Sequence, residues 1–349
     1  MSLESAKMGK ISEHFSDTDM LIIKPQKKNP LISAMILLAL LMICGVYFCL
    51  ICLKQKGFII NPNSMRIEQI ERSCPNPNIS KSEVPYVHYP EPTTYRRNEC
   101  RCTPVRFFAI LSMQRSGSGW FETLLNSHIN ISSNGEIFSV KVRRSNMSTI
   151  TETLDKVYNL DWFSSASKNE CTSAVGFKWM LNQGLLQNHD DIVSYFDKRG
   201  VSAIFLFRRN LLRRWVSILA NNHDRDTKQL NGTHKAHVHS KDDADVLARY
   251  KPKINESLLI PTLKQADKWT IDALKYFKGN RHIVLYYEDL AHNRTKLKEV
   301  LEFLRVPQRK LKSRQVKIHT RPLSEQIENW DAVSKALKGT EYESFLQSD

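Results

Sequence analysis

Four short apolar runs, at 105–111, 174–179, 201–207 and 282–287, constrain the fold more than any other feature of this sequence. Stretches with helical spacing, at 191–196, 211–220 and 263–277, lie between or after them. Apolar runs this short, bounded by longer helical patterns, read as buried strands. Strands alternating with helices imply a parallel sheet covered by helices on both faces. The chain is therefore expected to be an α/β protein, and no internal repeat interrupts that pattern.

A second feature sets the organisation of the chain. Residues 31–53, LISAMILLALLMICGVYFCLICL, carry no formal charge over 23 positions. About 20 apolar residues suffice for a membrane-spanning helix, and a buried core helix is rarely apolar on every face over that length. The run begins too far into the chain for an ordinary cleaved signal. Lys24, Lys27 and Lys28 precede it, while Lys54 and Lys56 follow, a bias that slightly favours a cytosolic N-terminus. The expected layout is a cytosolic tail at 1–30, a single transmembrane signal anchor at 31–53, a Pro/Asn/Ser-rich lumenal stem at 54–103, and a folded α/β domain at 104–349.

Charge and cysteine content fit that layout. The net charge is +15, and the segment up to Leu53 contributes only +1 of it. A basic field of that size favours anionic partners, which include nucleic acid, a phosphorylated cofactor and an acidic glycan. Cys44, Cys49 and Cys52 lie in the apolar run; Cys74, Cys100, Cys102 and Cys171 follow it and allow two disulfides in three connectivities. Acceptor sequons for N-glycosylation occur at Asn78, Asn130, Asn146, Asn231, Asn255 and Asn293, all beyond the run. No Cys/His set has zinc-site spacing, and no metal is expected.

The first strand runs into Gln114-Arg115-Ser116-Gly117-Ser118-Gly119-Trp120, where a helix begins. A Gly/Ser loop between strand and helix aims backbone amides at a phosphate, and the helix N-terminus adds positive potential. The loop lacks the Gly-Lys-Ser/Thr of a nucleoside-triphosphate P-loop. The third apolar run leads into Arg208-Arg209-Asn210, with Ser217 eight residues after Arg209. Ligands of doubly wound sheets bind at strand carboxyl ends, so an Arg and a Ser there can hold a second phosphate.

Together the two elements resemble those of the sulfotransferases that use 3′-phosphoadenosine 5′-phosphosulfate (PAPS). That family's 5′-phosphosulfate loop is usually P-K-S-G-T-T-W, and its 3′-phosphate element is Arg-Asn followed by a Ser. The likeness runs from about Val105 to the C-terminus and is nearest to the Golgi carbohydrate and bacterial nodulation-type branch. It implies a P-loop-NTPase-like sheet that binds PAPS through Arg115, Ser116, Gly117, Ser118, Gly119, Trp120, Arg209 and Ser217. Arg115 stands where Lys is usual, and the C-terminal R-K-G-x-x-G-x-W-K segment of cytosolic members is absent. Arg321 is a candidate to replace part of that segment at the adenosine.

Sulfuryl transfer needs positioned groups, offset negative charge and a general base. The resemblance assigns the base to Glu136, in an Asn-Gly-Glu context. Lys178, at the end of an otherwise buried strand, is a candidate to steady the transferring group, with Arg115. The implied acceptor is a hydroxyl, expected on a glycan, in the Golgi lumen; the stretch at 222–257 is a candidate acceptor loop. His234, His237 and His239 read as residues of a mobile loop. A kinase-like protein would need Gly-Lys-Ser/Thr. A Golgi glycosyltransferase would commonly need Asp-x-Asp, found here only at Asp17-Thr18-Asp19, ahead of the apolar run. A non-enzymatic glycan-binding protein would explain the charge without the paired phosphate elements.

Overall fold

The computed structural model describes residues 30–57, 79–293 and 295–347. Two compact units divide the chain, Met1–Arg72 and Ser73–Asp349. In the first, helix α1 spans Pro30–Gly57 and covers the uncharged run. Its described large apolar side chains, from Met35 to Ile51, are all exposed. Among the described residues, no helix is long and apolar enough to cross a membrane. The expected tail before Pro30, much of the expected stem, Cys74 and Asn78 lie outside the described residues.

The second unit is an α/β sandwich. Its strands are β1 Arg106–Ser112, β2 Ile131–Ser133, β3 Ala174–Met180, β4 Val201–Phe207 and β5 His282–Tyr286. Its helices are α2 Ser118–Asn126, α3 Met147–Tyr158, α4 His189–Arg199, α5 Leu211–Thr227, α6 Lys241–Leu247, α7 Glu256–Tyr276, α8 Tyr287–His292, α9 Thr295–Phe303, α10 Leu323–Gln326 and α11 Trp330–Leu337. All strand pairs are parallel, in the order β2-β3-β1-β4-β5. The four expected strands are present to within about a residue at each end. The short edge strand β2, Ile-Ser-Ser, carries no apolar run that would have announced it.

Alternation along the strands builds two cores. Phe107, Ala109 and Leu111 of β1, with Phe205 and Phe207 of β4, face a layer containing Leu154 of α3, Phe196 of α4, Leu263 of α7 and Leu337 of α11. Phe108 and Ile110, with Ile204 and Leu206, face Phe121 and Leu124 of α2 and Val300 of α9. The two-residue strand period sends neighbours to opposite faces, so continuous apolar strands require helices on both. Each of the Phe, Leu, Ile and Val side chains among them contributes about 1.5–3 kcal/mol on burial.

Residues 79–103 pack against this unit. Glu83 lies 3.1 Å from Arg106, 3.5 Å from Arg281 and 3.1 Å from Arg305. Burial raises the Glu83 carboxyl, but the hydrogen bond from Arg305 and the fields of Arg281 and Arg106 outweigh it, and the pKa ends below the ordinary value. Arg97 is buried and donates to the carbonyls of Glu170, Thr103 and Thr172. Cys100 and Cys171 form a disulfide with Cα atoms 5.2 Å apart, and Cys102 is disulfide-bonded as well. Glu83→Ala should strand three neighbouring guanidinium groups and cost about 3 kcal/mol, read as a lower urea midpoint for a chain beginning at Ser73.

Candidate functional site

Sheet order decides what can meet. Strands β1 and β4 are neighbours, with Ser112 opposite Leu206, so the segments leaving their carboxyl ends emerge side by side. Connections from β1 lead first to the β2/β3 side of the sheet, and β4 and β5 lie on the other, which makes this a topological switch point.

The loop between β1 and α2 turns back sharply. The Ser116 amide donates to the Met113 carbonyl at 3.3 Å. Arg115 has φ +64 and Gly117 φ +82, both in the left-handed region. For Arg115 this backbone costs about 1 kcal/mol or more. Its side chain is held across the site, donating Nε–H to Ser217 Oγ at 2.9 Å and Nη1–H to the Ala236 carbonyl at 2.8 Å. A Cβ on Gly117 would fall 2.2 Å from the Tyr287 ring, and one on Gly119 would fall 2.3 Å from His237 Nε2. Both glycines are therefore required by close approach. Helix α2 starts at Ser118 and points its amide end at this loop.

A cavity of about 1010 Å³ opens over the loop. Arg115, Gly117, Ser118, Gly119 and Trp120 line it, and so do Ser217, Glu136 and Lys178. Arg115 and Ser217, 102 residues apart in sequence, thus share one cleft with Glu136 and Lys178. Ser116 is fully buried below, and its hydroxyl has no hydrogen-bond partner among the described residues. Trp120 meets Tyr287 edge to face, with centroids 5.8 Å apart.

Arg209 is placed elsewhere. Its guanidinium donates to both carboxylate oxygens of Asp289, at 2.5 and 2.9 Å, and stacks over Tyr286. It lines a separate cavity with Asn210 and Lys296. Its neighbour Arg208 lines the large cavity instead, together with Arg214 one helical turn into α5. Consecutive residues at a strand end point to opposite sides, so a shift of one position exchanges cavity for exterior. Arg321, expected near the adenosine, is exposed and does not line the cavity; its carbonyl accepts from Arg213.

The cavity is strongly cationic. Burial lowers the Arg115 and Arg214 guanidinium pKa values to about 10, with Arg208 adding repulsion in each case. Arg214 is buried, and its Nε has no hydrogen-bond partner among the described residues. Burial, then Arg115 and Lys178, push His237 down to about 4. Burial, then Arg115 and Arg208, do the same to His319. Clustered fixed cations, a helix N-terminus and a buried guanidinium N–H lacking a partner suit a polyanion.

Lys178 lies on β3, and Glu136 follows β2, just before the short helical turn at Ile137–Ser139. Lys178 Nζ sits 3.5 Å from Glu136 Oε2 and 3.6 Å from Glu122 Oε2. Gln183 donates to Glu136 Oε1 at 2.6 Å. The sequence did not single out Glu122, His319 or Tyr287; His237, expected in a mobile loop, lines the cavity, and so does Arg214, which is buried rather than on a solvated helix face. Glu122 has a signal in retrospect: it stands four residues after Ser118, on the same helical face as the loop. Of the other loop histidines, His234 binds Asp224 at 2.6 Å through Nδ1. Among the described residues, no group of three or more His, Cys, Asp or Glu is placed to hold a metal ion.

No family model matches this chain, and no curated protein matches it. Solved structures align with it, among them two that are sulfotransferases by name. One is the sulfotransferase domain from the curacin biosynthetic pathway, 15% identical, covering 69% of this chain and 88% of that one, with a TM-score of 0.31. The other is a sulfotransferase from Alicyclobacillus acidocaldarius, 12% identical, covering 69% and 96%, with a TM-score of 0.35. At such scores neither likeness carries weight.

The histidines give a pH signature. Their folded pKa values, about 4, lie below the ordinary 6.5, so the unfolded chain binds protons first as pH falls. Stability should be intact above pH 6.5 and decline from there toward pH 4. Inorganic pyrophosphate should recover part of the loss in a thermal melt, since a bound anion favours the protonated rings.

Proposed function

We propose that this protein is a sulfotransferase that moves the sulfuryl group of PAPS to a hydroxyl. The observation that carries the reading is one cavity shared by the Arg115–Gly119 loop, Ser217 of α5, and Glu136 beside Lys178. The residues present fit a doubly phosphorylated donor. The loop amides, Ser118 and Arg115 suit the 5′-phosphosulfate. Arg208, Arg214 and Ser217 suit the 3′-phosphate, taking the role that the sequence pattern gave to Arg209. Trp120 and Tyr287 offer aromatic faces for adenine.

In this reading the acceptor oxygen bonds to sulfur as the bond from sulfur to the 5′-phosphate oxygen breaks. Glu136 takes the acceptor proton; the products are a sulfate ester and adenosine 3′,5′-bisphosphate. Lys178 and Arg115 offset the charge spread over the transferring oxygens. The far arm of the cavity runs between α5 and α7. Trp215 and Trp269 line it beside Asn221, Asn222 and Gln265. Indole faces with amide donors and acceptors suit a sugar, which supports a glycan acceptor.

Purified chain incubated with ³⁵S-labelled PAPS and a microsomal glycan extract should label a glycan fraction. Glu136→Gln should lower kcat about 100-fold with little change in PAPS affinity. Arg214→Ala should weaken binding of adenosine 3′,5′-bisphosphate about tenfold or more, while Arg209→Ala leaves it near wild type. Equal losses in the two arginine variants would refute this placement of the 3′-phosphate.

The uncharged run inside α1 supports a further proposal, that the chain is a single-pass type II protein of the Golgi membrane with its α/β unit in the lumen. The full chain should stay in the membrane pellet after alkaline carbonate extraction, whereas a secreted chain beginning at Ser73 should not.

A further inference from the structure

Glu122 belongs to neither phosphate element, yet it contacts Ser133, Gly135 and Lys178 beside the proposed base. It stands in α2, one turn beyond the loop, with its side chain 10% exposed. Its Oε1 accepts from Ser133 Oγ at 2.7 Å and from the Gly135 amide at 2.9 Å. Its Oε2 lies 3.6 Å from Lys178 Nζ. Gly135 directly precedes Glu136, and the Gly135 carbonyl accepts from the Lys178 amide at 2.9 Å. One buried carboxylate thus fastens the backbone of the base, the tip of β2 and the ammonium of Lys178 to the helix that begins at the anion loop.

We infer that Glu122 is the positioning residue that sets Glu136 and Lys178 against the sulfuryl donor, an inference that rests on Glu136 being the base. A buried carboxylate is costly unless its oxygens are satisfied, and here two hydrogen bonds and one cation satisfy it. The second effect is a division of charge. Lys178 stands between two carboxylates at nearly equal distances, 3.6 and 3.5 Å. While Glu122 holds one side of the ammonium, Glu136 is not committed to a closed ion pair and keeps an oxygen for the acceptor hydroxyl. With that charge removed, Lys178 collapses onto Glu136 and blocks it. The loop–helix connection makes the same contact a mechanical link: the loop that holds the donor and the base that meets the acceptor move as one body.

The test uses the full chain, ³⁵S-labelled PAPS and the glycan fraction that the wild type labels. Glu122→Gln keeps the shape and removes the charge. Its kcat should fall about 10- to 100-fold, while KM for PAPS changes less than about threefold. Combined with Lys178→Met, it should cost little beyond Lys178→Met alone, because the two act as a unit. Hydrogen exchange at the Gly135 amide should quicken in Glu122→Gln without any acceptor present. A kcat within threefold of wild type, additive losses in the double variant, or unchanged Gly135 exchange would each overturn the inference. If Glu122→Gln does not fold, Glu122→Asp, which keeps the charge one methylene short, should show intermediate turnover and exchange; wild-type values for both would overturn it. Wild-type turnover in Glu136→Gln would sink the assignment of the base itself, and Gly135 exchange still reads the Glu122 clamp separately.

Discussion

The parallel pairing of β1 with β4 is the constraint on which the site depends. It brings the loop after Ser112 beside the segment after Phe207, and it allows Arg115 to reach Ser217, 102 residues away, with a 2.9 Å hydrogen bond. Both strands are buried throughout, so a slip of their register would expose large apolar side chains on both faces. The apolar cores therefore fix the relative position of the two polar segments, which are themselves anchored by buried Met113 on one side and Leu211 and Leu212 on the other. Strain at Arg115 is tolerable because the guanidinium is tied at two points once the strands are paired.

Charge organises the cavity as firmly as packing organises the sheet. Arg208 repels both Arg115 and Arg214 there, and itself lies 3.8 Å from Glu288. Burial first, and the neighbouring cations after it, oppose protonation of His237 and His319. The opposite logic holds along β3, where one lysine serves two carboxylates. An anion-seeking end and an internally compensated end share one cleft, and that asymmetry is what a charged donor and a neutral hydroxyl acceptor would need.

Much of this was legible in the sequence, for identifiable reasons. The main strands are unbroken apolar runs, and continuous burial leaves that signature. The loop at Arg115–Gly119 announced itself through small residues between strand and helix. Other features carried no such mark. Strand β2 is three residues long and two of them are serines, so pairing with β3 rather than composition makes it a strand. Arg208 and Arg209 are chemically identical in sequence, and the choice between them depends on which faces Asp289 on α8. His237 comes from a loop whose course is set partly by His234 and Lys235 bonding to Asp224, a contact no local pattern foretells.

The disulfide between Cys100 and Cys171 spans 71 residues and closes that stretch into a covalent ring. The ring contains β1, the anion loop, α2, β2 and Glu136, while Lys178 lies just outside it. In the chain-entropy account, a loop of that length restricts the unfolded ensemble by about 4 kcal/mol. Half the cleft is thus pre-gathered before the sheet is complete, and what remains is for β3 and β4 to thread in on either side of the central strand. A reducing compartment would take away that head start and leave the order of strand assembly to chance encounters along a much longer open chain.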